Sequence, residues 1–219
     1  MTTPVIPQIL LFMQIVIFST AVFMHLTKKN TSAIWLYIVQ STAVSLLLLL
    51  PAVGESSKLL IVAIASTIAV KLFIAPYFFF GLIRRNRLTF SVSTYFNTPI
   101  SLLVIAGLVA LTRTEVFRPL AYLAPEGINL LLLNVATIMI SLFLSINRKG
   151  ALSQMLGILS LENGIVSFAL SAGLEQNPGL QLGITFNILI WIIIATVFIS
   201  MMFRQFGSLD VTTMKKLTE

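Results

Sequence analysis

The sequence predicts an all-α membrane protein of about seven transmembrane helices, with the N-terminus outside and the C-terminus in the cytoplasm. Three observations carry that reading. The 219 residues are 58% hydrophobic and only 10% charged, with a mean hydropathy of +1.01, whereas soluble domains average about 25% charged residues. Because about 20 apolar residues cross the hydrocarbon, seven spans and short loops nearly exhaust the chain and leave no aqueous domain. The connections after the first, third, fifth and seventh spans hold ten of the fourteen Lys and Arg, and basic loops face the cytoplasm. The net charge of +7 is therefore a topology signal and argues against a nucleic-acid partner. The expected setting is the lipid of the cell membrane, crossed several times.

The first span, 7–26, lacks the basic n-region and A-x-A-like cleavage site of a signal peptide, so it reads as a mature helix. His25, the single histidine, ends it beside Lys28 and Lys29 and reads as an interfacial residue rather than a metal ligand. The second span, 32–53, opens near Trp35 and Tyr37, where interfacial aromatics gather. Gln14 and Gln40 lie inside these two spans, where side-chain amides form interhelical hydrogen bonds. The third span, 58–83, contains Lys71 about 18 Å from either end at 1.5 Å per residue, too far for easy snorkelling. Lys71 therefore needs an internal partner or a hydrated cavity. Pro76 lacks a backbone donor, which should free the carbonyl of Leu72 and kink the helix just beyond Lys71.

A basic loop with Arg84, Arg85 and Arg87 leads to a short fourth span, about 98–112 with an alternative start nearer Val92, with Thr98 as the expected N-cap and Pro99 in the first turn. Residues 113–126 read as a loop of mixed charge. The fifth span, 127–146, contains Asn134. The sixth is organised around 155–171, MLGILSLENGIVSFALS, with Glu162 near its middle. Its small residues Gly157, Ser160, Gly164, Ser167 and Ser171 recur at steps of three and four, placing them on one face where another backbone can approach. Glu162 lies beside that face and should point into protein. A carboxyl group at the bilayer centre costs about 2.5 to 3.5 kcal/mol on insertion scales and suggests function by default. The seventh span, 179–203, contains Thr185, Asn187 and Trp191, and a polar tail follows.

Catalytic motifs are missing from this pattern. There is no Walker loop, dinucleotide-binding glycine pattern, H-E-x-x-H or G-x-S-x-G. With one histidine and no cysteine, the chain has no material for a triad or a thiolate metal centre, so neither metal ligands nor catalytic residues are assigned. What remains is a set of polar groups at membrane depth: Lys71, Asn134, Glu162, Asn163, Thr185 and Asn187. Such sets form proton or ion pathways, since each group can exchange a proton or hold a water. Whether Lys71 meets Glu162 cannot be read from spacing.

The segment QMLGILSLENGIVSFAL, the cytoplasmic GSLDVTTMKKL and the earlier KLFIAPYFFFGLIRRN resemble the E component of hydrogenase-4 and related group 4 membrane-bound [NiFe] hydrogenases. The last three spans are also similar to the K-type subunit of complex I. The most specific elements are E-N-G at Glu162, Asn163 and Gly164, and L-D-V at Leu209, Asp210 and Val211. The resemblance implies a four-helix membrane region, 1–126, followed by a K-subunit-like three-helix region with a short cytoplasmic tail, 127–219. It implies a subunit without catalysis of its own in a complex I-like oxidoreductase, coupling electron transfer and hydrogen evolution to proton or sodium translocation. Its partners would be antiporter-like and quinone-site-like membrane subunits and the hydrogenase large and small subunits. The [NiFe] centre and iron–sulfur clusters would lie in those partners and no cofactor in this chain. Relatives carry a second membrane carboxylate in the last helix, where this chain shows Asn187, which cannot relay a proton by ionising.

Two other readings compete. A self-contained secondary transporter could arrange seven helices as two triplets around a linker, but Lys71 and Pro76 have no counterpart in the seventh span. An assembly or lipid-contact protein would use its polar groups only to pack helices.

Overall fold

A computed structural model describes residues 5–52, 58–86, 94–125, 127–173 and 178–206. Long apolar runs become helices here because hydrocarbon offers no partner to backbone N–H and C=O groups, which must pair within the segment. Helices α1 (Val5–Leu26) and α2 (Asn30–Ala52) form an antiparallel hairpin. On α2, Ile34, Tyr37, Ser41, Val44, Ser45 and Leu48 are all buried, the spacing of one helical face.

The third span is a single passage in three parts: α3 (Lys58–Ile68), a π-helical turn (Ala69–Ile74) and α4 (Ala75–Asn86). The kink expected at Pro76 takes the form of this wide turn. Ala75 N–H donates to the Val70 carbonyl, five residues back, so the ladder has slipped by one residue before it reaches the proline, which has no N–H to offer.

Helix α5 (Thr98–Thr112) takes the later of its two expected starts, but its N-cap is Asn97, one residue earlier than Thr98. Asn97 Oδ1 accepts from Ile100 N–H at 3.1 Å, and Pro99 falls where a missing N–H costs nothing. The segment read as a loop contains a 3₁₀ helix (Glu115–Tyr122), turned by 53° from α5. Its charged residues Glu115 and Arg118 are exposed and paired with each other, one 3₁₀ turn apart.

Helices α6 (Ile128–Asn147) and α7 (Ala151–Ser171) form the tightest hairpin. The small-residue stripe explains why. A Cβ on Gly157 would lie 2.7 Å from Ser145 N, and one on Gly164 would lie 3.1 Å from Ile138 Cγ1. Ser160 and Ser167 are fully buried on the same face. Helix α7 also packs on α2 and α1, while α8 (Pro178–Phe206) lies against α3 and α4 and meets α7 only sparsely. The regions 1–126 and 127–219 thus interleave, with α1 on α6 and α2 on α7.

Among the described residues, five helical segments are long and apolar enough to cross a membrane, or six if α5 and the bent 3₁₀ helix count as one. They are α1, α2, the three-part third span, α6 and α8. Helix α7 is long enough, at 21 residues, but Gln154, Glu162, Asn163 and its serines dilute its hydropathy. Glu175, the loop residues 87–93 and the tail with its L-D-V element lie outside the described residues.

Candidate functional site

The π-helical turn carries Lys71, whose side chain is 1% exposed. Its ammonium donates to Glu162 Oε1 and to Asn163 Oδ1, each at 2.8 Å, and lies 2.8 Å from Glu162 Oε2. Two consecutive residues of α7 thus grip one cation, because successive side chains on a helix diverge by about 100° and can flank a group between them. Glu162 is 18% exposed, at the rim of the bundle, whereas Asn163 is fully buried. The partner that Lys71 requires is therefore the carboxylate beside the small-residue face.

The cluster extends through amides and hydroxyls. Asn163 Nδ2 donates to Gln40 Oε1 at 3.2 Å and Ser41 Oγ at 3.0 Å. Gln40 Nε2 donates to the Ile17 carbonyl at 3.1 Å and to Ser160 Oγ at 2.9 Å. Ser160 in turn meets Ser141 Oγ at 2.8 Å. One hydrogen-bonded group therefore joins the π turn to α7, α2, α1 and α6. The pair is neutral as a unit, and these contacts fix the amide orientations that present Asn163 Oδ1 to Lys71.

Asn134 belongs to a second group, nearer the C-terminal end of α7. Ser167 Oγ donates to Asn134 Oδ1 at 2.8 Å, and Asn134 Nδ2 donates to Ser171 Oγ at 2.9 Å. Gln14 Nε2 also donates to Ser171 Oγ. Thr185 stands apart from both, sharing a 2.8 Å hydrogen bond with Thr67 that ties α8 to α3 one turn before Lys71. Asn187 lies on α8, with its side chain outside the described residues. Of the polar residues singled out in the sequence, Lys71, Glu162, Asn163 and Ser160 come together, and Asn134 and Ser167 form the second group. Gly157 and Gly164 serve the close approach of α6 and α7.

Two residues make contacts that the sequence did not announce. His25, at the end of α1, is buried against α6. Its Nε2 lies 3.0 Å from the Ile140 carbonyl and its ring stacks on Phe143 with centroids 5.0 Å apart. Arg148, counted only as loop charge, is 4% exposed. Its guanidinium donates to the carbonyls of Met24 at 2.6 Å, His25 at 3.2 Å and Thr27 at 2.8 Å. It closes the C-terminal end of α1, where carbonyls lack helical partners and a cation is favoured. Burial lowers its pKa below the ordinary arginine value, and these carbonyls offset that cost. Ser41 was missed outright; its position four residues before Ser45 and after Tyr37 on one α2 face was the available signal.

Among the described residues no three His, Cys, Asp or Glu side chains gather where they could hold a metal, and the chain has no cysteine for a thiolate-bound centre. What the arrangement can do is hold one buried positive charge against one carboxylate that sits nearer the bundle surface. An amide stands ready to retain the lysine if that carboxylate changes charge.

No known protein family matches the chain, and no solved structure matches it. The chain is similar to the uncharacterized protein Rv0085 of Mycobacterium tuberculosis, with 28% identity over 184 residues, or 82% of each chain.

Proposed function

We propose that this protein is a non-catalytic, multi-pass subunit of the cell membrane in a complex I-like, energy-converting [NiFe] hydrogenase, and that its lysine–carboxylate pair takes part in proton or sodium translocation. The single observation carrying the reading is the 2.8 Å contact of Lys71 with Glu162 on a π-helical turn. An ion pair inside an apolar bundle is costly to bury and weak as a stabiliser, which favours a working role over a packing one. The E-N-G resemblance at 162–164 supplies the assembly in which such a pair would work.

In this reading α7 is a span whose polar face is covered by α1, α2 and α6 while Ile158 and Ile165 face outward, and the bent α5 unit completes seven passages. Glu162, at the rim, exchanges its charge with a neighbouring membrane subunit. Protonation of Glu162 weakens its attraction for Lys71, while Asn163 Oδ1 keeps the ammonium in place. Slippage of one residue in a π turn is a small structural step, and such turns recur at functional sites. The [NiFe] centre and iron–sulfur clusters belong to partner chains, because this one lacks the thiolates to hold them.

Two measurements test the proposal. Purification of the tagged protein in mild detergent should bring down hydrogenase and antiporter-like subunits, identified by mass spectrometry; a lone chain or homo-oligomer would overturn the assembly. In vesicles, Glu162→Gln should leave that assembly intact and reduce coupled ion translocation. Unchanged coupling would remove Glu162 from the mechanism.

A further inference from the structure

The two polar groups on α7 are separated by one helical turn, from Asn163 to Ser167. Two buried oxygens without a hydrogen-bond partner belong to the helices that frame this step: Ser45 Oγ on α2 and Gln14 Oε1 on α1. Their placement follows from register. Ser41 on α2 meets Asn163 on α7 at 3.0 Å, and with these helices running in parallel, one turn onward sets Ser45 level with Ser167. Gln40 reaches the Ile17 carbonyl of antiparallel α1, so Gln14 lies one turn onward on the same side. It is there that Gln14 Nε2 bonds Ser171.

Both residues are almost wholly buried, Gln14 at 1% and Ser45 at 3% exposure. A hydroxyl or amide oxygen left without a partner in an apolar interior costs about 1–3 kcal/mol. Buried polar atoms in this situation are commonly served by internal water, which makes two to four hydrogen bonds. A serine hydroxyl in a helix would ordinarily bond its own carbonyl four residues back, and Ser45 does not.

We infer that Ser45 Oγ and Gln14 Oε1 form a binding site for internal water where α1 and α2 pack against α7. This water joins the Lys71–Glu162–Asn163 group to the Asn134–Ser167–Ser171 group. The amides of Gln14, Asn134 and Asn163 do not ionise, so they cannot relay protons by themselves. Water can, by accepting one proton and releasing another with no net change. A hydrated step here carries the hydrogen-bonded group from Ser41 and Asn163 toward the C-terminal end of α7, which the charge distribution assigns to the outside. Only this direction of traffic rests on the proposed function; the hydration stands on the unpaired oxygens.

The test is X-ray radiolytic labelling of the full-length protein, purified with whatever subunits remain bound. Hydroxyl radicals made from a buried water oxidise the side chains beside it, and mass spectrometry locates them. Ile17 and Leu48, one turn from Gln14 and Ser45 and both buried, should label several-fold faster than Phe79, a fully buried ring near the other end of the bundle. Ser45→Ala and Gln14→Leu should each bring that labelling down to the Phe79 level. Labelling no faster than Phe79 in the parent, or unchanged by Ser45→Ala, would overturn the site. Ser45→Ala alone keeps the test decisive if Gln14→Leu fails to fold, because alanine suits a helix and removes no existing hydrogen bond. Labelling present while Glu162→Gln leaves coupling intact would retain the water and sink the translocation reading; absent labelling with lost coupling would do the reverse.

Discussion

Breaking the Lys71–Glu162 pair from one side should be far worse than removing it whole. At 2.8 Å and an effective dielectric of about 20, the attraction is about 6 kcal/mol before desolvation is counted. Losing one partner leaves an uncompensated charge, which typically costs about 3–5 kcal/mol in buried pairs. Lys71→Met strands a carboxylate that is 18% exposed, and Glu162→Gln strands an ammonium that is 1% exposed. The second change is softened because the new amide oxygen and Asn163 Oδ1 both still accept. We therefore expect each single variant to lose about 3 kcal/mol, and Lys71→Met/Glu162→Gln to lose no more than the milder single, so that coupling is about 3 kcal/mol. Denaturant titration in mixed micelles, followed through Trp35 and Trp191, measures all four proteins. Additivity of the two singles within about 0.5 kcal/mol would mean the pair does not interact energetically and would refute the reasoning.

Three further outcomes are expected. Gly157→Val places a side chain on the Ser145 backbone, 2.7 Å from its nitrogen, and should cost upwards of about 1–3 kcal/mol by overpacking; Gly81→Ala, with nothing within 4 Å, should be neutral or stabilising in the same titration. Arg148→Met removes the donor of three carbonyls at the end of α1 and should cost about 3 kcal/mol or more, since bonds from a charged group are worth about 1.5–3 kcal/mol each. Hydrogen exchange should quicken in the amides just beyond that helix end, with Arg148→Lys recovering part of the protection. The chain has no cysteine, so single cysteines report topology cleanly: Lys28→Cys and Lys149→Cys should react with an impermeant maleimide only from the cytoplasmic side, and Glu115→Cys only from outside.

Helix positions were legible because hydropathy and the lipid constraint act on each segment separately. Of the two starts open to α5 the later one, at Thr98, is the one observed, and the stripe from Gly157 to Ser171 announced a close backbone approach, which α6 makes. The need of Lys71 for a partner was also legible, since its depth alone demands one. The identity of that partner was not, because residues 91 positions apart meet only through the packing of three helices. Pro76 signalled a break, but a missing donor does not say whether the ladder kinks or widens. Arg148 was misjudged for a related reason. A basic residue after a span satisfies the charge rule equally well in water or folded back against the end of α1, and only the tertiary structure separates the two.

Helix α7 shows how the site and the membrane place opposed demands on one sequence. A helix facing lipid must be apolar throughout, whereas one that grips an ammonium and carries a polar face needs Ser160, Asn163, Ser167 and Ser171 at intervals of a turn, with Glu162 beside them. The chain meets both demands by position. Helices α1, α2 and α6 surround the polar face of α7, and glycines at 157 and 164 let α6 come close enough to seal it. The least hydrophobic of the long helices is thus the one packed most closely on α6, with α2 and α1 on its other flank. Its low hydropathy comes from that packed face, while Ile158 and Ile165 on the outer side are exposed and apolar, and replacing Glu162 by an apolar residue would raise the hydropathy of α7 while dismantling the only charged pair in the described interior of the bundle.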